Sequence, residues 1–164
     1  MSGASTAGQA RTQAGVLIPR GSISLTLWCA HDTATFYRTR PGLYVRDGFR
    51  TRILANAKLV PTGTTYQLAV FELKDATDKQ IEAALPKNHL FDESAVCAIV
   101  AELIGKQQKG EPGDLEHNGR VNLLYTASCV VFVFWLGGYR EWLVDSWDRE
   151  GRRWDAGGRV VSPA

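Results

Sequence analysis

Apolar and polar residues alternate with a period of two over residues 22–30, "SISLTLWCA", which places Ile23, Leu25, Leu27 and Cys29 on one face of a first strand. The alternation continues through "ATFYRTRPGLYVRDGFRTRILANAKLV", where aromatic or aliphatic residues alternate with arginines. Pro41-Gly42 and Asp47-Gly48 punctuate this segment as turn dipeptides, predicting two or three short antiparallel strands. A further strand covers 64–73. The period then changes. Thr77 followed by Gln80 is a capping-box signature ahead of "IEAAL", and Pro86 ends that short helix. Asp92 opens a longer helix, "ESAVCAIVAELIGKQQ", in which Val96, Ile99, Val100 and Leu103 recur at three- and four-residue spacing, with Gly110 as its stop. Four more strands follow, over 121–125, 128–136, 140–148 and 152–161.

Strands, two helices and strands again, without β-α-β alternation, predict an α+β fold. The expected architecture is a mainly antiparallel, strongly curved, half-barrel-like sheet packed on one long and one short helix. The apolar run "VVFVFWL" reads as its central strand, buried on both faces. "WDREGRRW" reads as a tight hairpin, with Gly151 in the left-handed position and Trp147 and Trp154 paired across it. Residues 1–21, small and polar, read as a flexible tail ahead of a single domain over 22–164.

Composition narrows the class of function. The 164 residues are 45% hydrophobic and 22% charged, a globular profile. Cys29, Cys97 and Cys129 are odd in number and form no C-x-x-C pair, which argues against a disulfide framework and a zinc site and points to a reducing cytoplasm. The longest apolar run, 129–138, is far shorter than the roughly 20 residues of a membrane helix. The chain carries no phosphate-cradling glycine loop and no nucleophile elbow, so neither cofactor, metal nor membrane is expected.

Two histidines and a thiol remain as candidate chemistry. "LWCAHD" places Cys29 and His31 on one strand face, with Asp32 on the other, so these three do not make a ready triad. The simpler reading is a buried thiol and a histidine satisfied at the strand end. In "NHLFDES", His89 with Glu93 is an acid/base candidate, although helix capping by itself explains Asp92. All three, Cys29, His31 and His89, are weak candidates for a small hydrolase.

Charge supplies the stronger signal. Between Phe36 and Arg52 stand five arginines, Arg38, Arg40, Arg46, Arg50 and Arg52, and one acid, Asp47, interleaved with Tyr37, Tyr44 and Phe49. On strands, Arg38 with Arg40 and Arg50 with Arg52 would share faces and offer a guanidinium patch with aromatic rings beside it, suited to single-stranded nucleic acid. Alternation of this kind also describes any half-exposed sheet. The leading expectation is therefore a non-catalytic interaction module that uses its exposed sheet and the Trp147/Trp154 hairpin for a protein partner or for self-association. A nucleic-acid accessory role for the arginine face is the alternative.

Overall fold

The computed structural model describes residues 15–164. The first fourteen residues, most of the expected tail, lie outside that range. In chain order the elements are β1 (Leu17–Thr26), α1 (Thr33–Phe36), β2 (Leu43–Val45), α2 (Asp47–Arg52), a 3-10 turn (Leu54–Asn56), β3 (Thr65–Leu73), β4 (Ala76–Thr77), α3 (Asp78–Ala84), α4 (Glu93–Gly105), β5 (Asn122–Tyr125), β6 (Val130–Leu136), β7 (Glu141–Trp147), β8 (Arg153–Trp154) and β9 (Arg159–Pro163).

Seven strands form one sheet in the order β1-β3-β9-β5-β6-β7-β2, and β4 and β8 form a small second ladder. The expectation of a mainly antiparallel half-barrel is corrected here: the sheet is mixed and open. β5 pairs with β9 in parallel (Leu123 opposite Val160), and β2 pairs with β7 in parallel (Tyr44 opposite Leu143). The first of these pairs has a topological cause. After β7 the chain leaves the sheet to pair β8 with β4, then returns beyond β5 and fills the gap beside β3, running the same way as β5.

The largest departure lies in the arginine segment, where two or three antiparallel strands were expected and one three-residue strand and a helix are found. Asp47-Gly48 opens α2 rather than a hairpin turn. Phe49 and Ile53, four apart, are both fully buried, a helical spacing hidden inside the apparent alternation. Asp47 lies in the first turn and Arg50 and Arg52 in the last, as the helix dipole favours. Gly48 permits the contact with β7, because a Cβ there would stand 2.7 Å from Asp145 Oδ1 and 2.9 Å from the Ser146 carbonyl.

The helices of the middle segment follow their local signals. Thr77 and Gln80 form the reciprocal capping box of α3, and the Asp92 carboxylate accepts from Ala95 N–H at 2.7 Å to cap α4. α4 is buried almost all round, since α1 and the 3-10 turn cover the side it turns away from the sheet. β1 begins at Leu17, ahead of the alternating run, and absorbs Pro19 through an irregularity between Pro19 and Ser22. It ends at Thr26, so "LWCAHD" lies beyond the regular strand.

Two apolar layers flank the sheet. On the α4 side Leu25, Leu68, Leu124, Val131, Val133, Val144 and Val161 pack with Trp142. On the opposite side Leu123, Tyr125, Val130, Phe132 and Val160 pack with Ile81 and Leu85 of the α3 segment and Trp154 of β8. α3 and the small ladder cover only part of this second face. Towards β2 its apolar residues thin into the half-buried Phe134, Leu136 and Trp147. Among the described residues no helix is long and apolar enough to cross a membrane.

Candidate functional site

The uncovered part of the second face is a furrow. Tyr44, alternating with the inward Leu43 and Val45 of β2, stands on this face and is 43% exposed. Leu143 lies opposite it on β7, and Phe134 of β6 lies opposite Leu143. The turn joining β6 to β7 carries Tyr139, 77% exposed. Three adjoining hollows of about 510, 350 and 380 Å3 follow β2 and β7 from Tyr139 and Leu136, past Tyr44, to Trp147 and Arg152. The arginines here are positioned by rings and acids. Arg46 pairs with Asp145 at 3.5 Å and lies over the Tyr44 ring; Arg52 pairs with Asp148 at 3.0 Å and donates to the Ser146 carbonyl at 2.9 Å. Arg152 lies 3.4 Å from the centre of the Trp147 ring.

The expected binding residues are therefore divided. Arg40, Arg46, Arg52, Tyr44 and Trp147 line the furrow. Arg38 is exposed but not among its lining residues, and Arg50 donates to Thr39 Oγ1 at 3.2 Å. Tyr37 and Phe49 are in the core: the Tyr37 hydroxyl donates to the Cys97 carbonyl at 2.7 Å, so neither ring can stack on a ligand. Arg40 is held over the Phe36 ring at 4.6 Å and donates to the Phe36 carbonyl.

The tryptophan hairpin is corrected in its ladder and observed in its contact. β7 and β8 do not pair, yet Trp147 and Trp154 stack with centroids 5.3 Å apart and 21° between planes. Gly151 has a φ of 80°, the left-handed conformation expected of it. Buried Asp78 draws β8 away from β7. It accepts from Trp154 Nε1 at 2.8 Å, from the Tyr125 hydroxyl at 2.7 Å and from Arg152 N–H at 3.1 Å. The sequence marks Asp78 only as a first-turn acid beside a cap, and nothing in it announces a buried acceptor.

Cys29 and His31 are not brought into a catalytic arrangement. Cys29 is exposed, against the expectation of a buried thiol, because the strand has ended before it. His31 packs against Phe36 and Tyr37; its Nε2 is buried without a hydrogen-bond partner, and burial lowers its pKa against the pull of Asp32. His89 pairs not with Glu93 but with Glu82, Nε2 to Oε1 at 2.8 Å, while its Nδ1 meets the Pro86 carbonyl at 2.9 Å. Both ring nitrogens face acceptors of the protein itself, so neither is turned to a substrate. Among the described residues no cluster of three or more His, Cys, Asp or Glu could hold a metal ion.

Two results are expected from these environments. Burial, with Glu93 and Asp92 nearby, pushes the Cys97 thiol up to about 12, and Cys129 is also buried. In native protein a thiol reagent should therefore label Cys29 rapidly and the other two only at the rate of unfolding; mass spectrometry of the labelled peptides checks this. Glu82 gives the second. Burial works against its ionisation, but the hydrogen bonds and charges of Arg149 and His89 outweigh burial and hold its pKa below the ordinary 4.5. A folded-state pKa below the unfolded one gives a stabilisation that is present above the unfolded value and lost as pH falls through the folded value. The urea midpoint should fall on acidification below pH 4.5, and Glu82→Gln should flatten that part of the profile.

Comparison with protein-family models, curated proteins and solved structures returns no match.

Proposed function

We propose that this chain is a non-catalytic protein-interaction domain whose contact surface is the furrow along β2 and β7. The observation that carries this reading is the pair of exposed tyrosines, Tyr44 and Tyr139, bracketing the apolar Leu136 and Leu143 in the largest of the three hollows. Exposed aromatics beside arginines, set over an apolar floor, are the side chains that anchor protein interfaces. The charges point the same way. Four arginines and five acids line the furrow, and Arg46 and Arg52 are already partnered by Asp145 and Asp148. A polyanion needs a positive field outside the surface, whereas an extended protein segment can use alternating charge and apolar contacts. The paired His89, and a His31 ring packed on Phe36 and Tyr37 with its Nε2 buried, weigh against a hydrolase.

A display library of random peptides, selected on the intact protein, tests the reading. Selected peptides are expected to lose about tenfold or more in affinity on Tyr44→Ser or Tyr139→Ser, and nothing on Trp28→Ser, which removes an exposed ring outside the furrow. Equal losses at all three positions would contradict it. So would tight, steeply salt-dependent binding of single-stranded oligonucleotides that competes with the peptides.

A further inference from the structure

Another cleft lies on the opposite side of β2 from the furrow. Leu43, Trp142 and Trp135 are register neighbours on the α4 face, and Trp135 forms the wall of a hollow of about 360 Å3 closed by Ile104 in the last turn of α4 and Gln108 beyond it. That volume falls within the roughly 300–1,000 Å3 of small-ligand sites. Its charged lining is of one sign: Arg40, Lys109 and Arg140, with no acid. Among the described residues none of the three forms an ion pair. Glu111 does not line the cleft, and its carboxylate is occupied by Lys109 N–H at 2.7 Å.

Three cations around one concavity repel one another and focus a positive potential into it, a cost that an anion between them removes. The end of α4 opposes this only weakly, because three of its last four carbonyls are taken. Lys106 N–H donates to Glu102, Gln107 N–H to Ile104 and Gln108 Nε2 to Gly105. The backbone gives an independent indication. Arg140, with a φ of 52°, is the one non-glycine residue among those described in the left-handed region. A glycine would sit there without strain, and a bulky residue held at such an angle is a pointer to function. Trp135 is fixed as well: a Cβ on Gly110, whose φ is 72°, would fall 2.3 Å from the indole, so the glycine backbone packs directly on the ring. Arg40 is held by Phe36 as described above.

We propose that this cleft binds a phosphate-bearing small molecule, with the anionic group held by Arg40, Lys109 and Arg140 beside the Trp135 indole. The site does not depend on the furrow reading, since Lys109, Arg140 and Trp135 do not line the furrow.

Calorimetric titration of the intact protein with pyrophosphate and with ADP at low salt tests it. The expected result is saturable one-to-one binding that weakens about tenfold or more on Lys109→Gln and on Arg140→Gly, and is unchanged on Lys106→Gln, an exposed lysine that does not line the cleft. Arg140→Gly removes the cation while suiting the backbone angle, so the fold is retained. ADP binding more tightly than pyrophosphate would identify a nucleotide class of ligand, and equal affinities would identify the phosphate group alone; both support the site. Absence of saturation, or equal weakening by all three substitutions, would overturn it.

Discussion

Replacing Trp142 with alanine is expected to destabilise the protein by about 3–5 kcal/mol, the range for truncating a large buried aromatic. Trp142 is fully buried in the α4-side layer, where its ring meets Trp135 edge-on with centroids 5.4 Å apart. Its indole N–H donates to the Gln107 carbonyl at 2.7 Å. Gln107 is itself buried and organises the following loop, donating to the Glu111 and Leu115 carbonyls and accepting from Leu115 N–H at 2.9 Å. Truncation thus opens a cavity and leaves the Gln107 carbonyl with the Gly110 N–H as its one remaining donor. Trp142→Phe should retain much of the packing and lose chiefly the hydrogen bond, about 1–2 kcal/mol. Urea unfolding with linear extrapolation separates the two variants. Equal and small losses for both would mean that the loop over 107–115 is not anchored through this ring.

A comparable loss, about 3 kcal/mol or more, is expected for Asp78→Ala, because three donors in the interior lose one acceptor group at once. The carboxylate is fully buried at the start of α3, where the helix dipole favours a negative group, and it ties β5, β8 and α3 together. Burial first, and then the hydrogen bond and charge of Asp78, hold the Tyr125 hydroxyl far above its usual pKa. Asp78→Asn and Tyr125→Phe, alone and together, should be strongly non-additive, and a double-mutant cycle reads that coupling. The consequence reaches the furrow. Trp154, which donates its indole N–H to Asp78, stacks on Trp147, so Asp78→Ala should also shift tryptophan fluorescence in the folded state. Additive effects would mean that the three donors act independently.

How much of this could be read from the sequence depended on whether the signal was local. The α3 capping box and the α4 cap at Asp92 are local hydrogen-bond patterns, and both are observed. The run "VVFVFWL" is an interior strand, buried on both faces over Val130–Val133 because β5 and β7 flank it and apolar layers cover both sides. The mixed sheet was not legible, since parallel pairing of β5 with β9 depends on where the chain returns after β8. α2 was missed because Phe49 and Ile53 fit a four-residue period and Phe49 also fits the two-residue alternation of its neighbours. Removing the arginine strands removed the expected face, as Arg50 and Arg52 stand on a helix and Tyr37 lies in the core. Of the proposed furrow, Tyr44, Trp147, Arg40, Arg46 and Arg52 were recognisable in the sequence. Tyr139 follows two glycines in "WLGGYREW", a turn signal that was available. Lys109, Trp135 and Arg140 converge only through the fold.

Mapping amide chemical shifts while a selected peptide is titrated into the labelled protein tests the interaction reading most directly. The signals that move should cluster at residues 44, 46, 136, 139, 143 and 147, on the face that α3 leaves uncovered. Shifts confined to the β1 edge or to the cleft around Lys109 and Arg140, with the furrow silent, would contradict it.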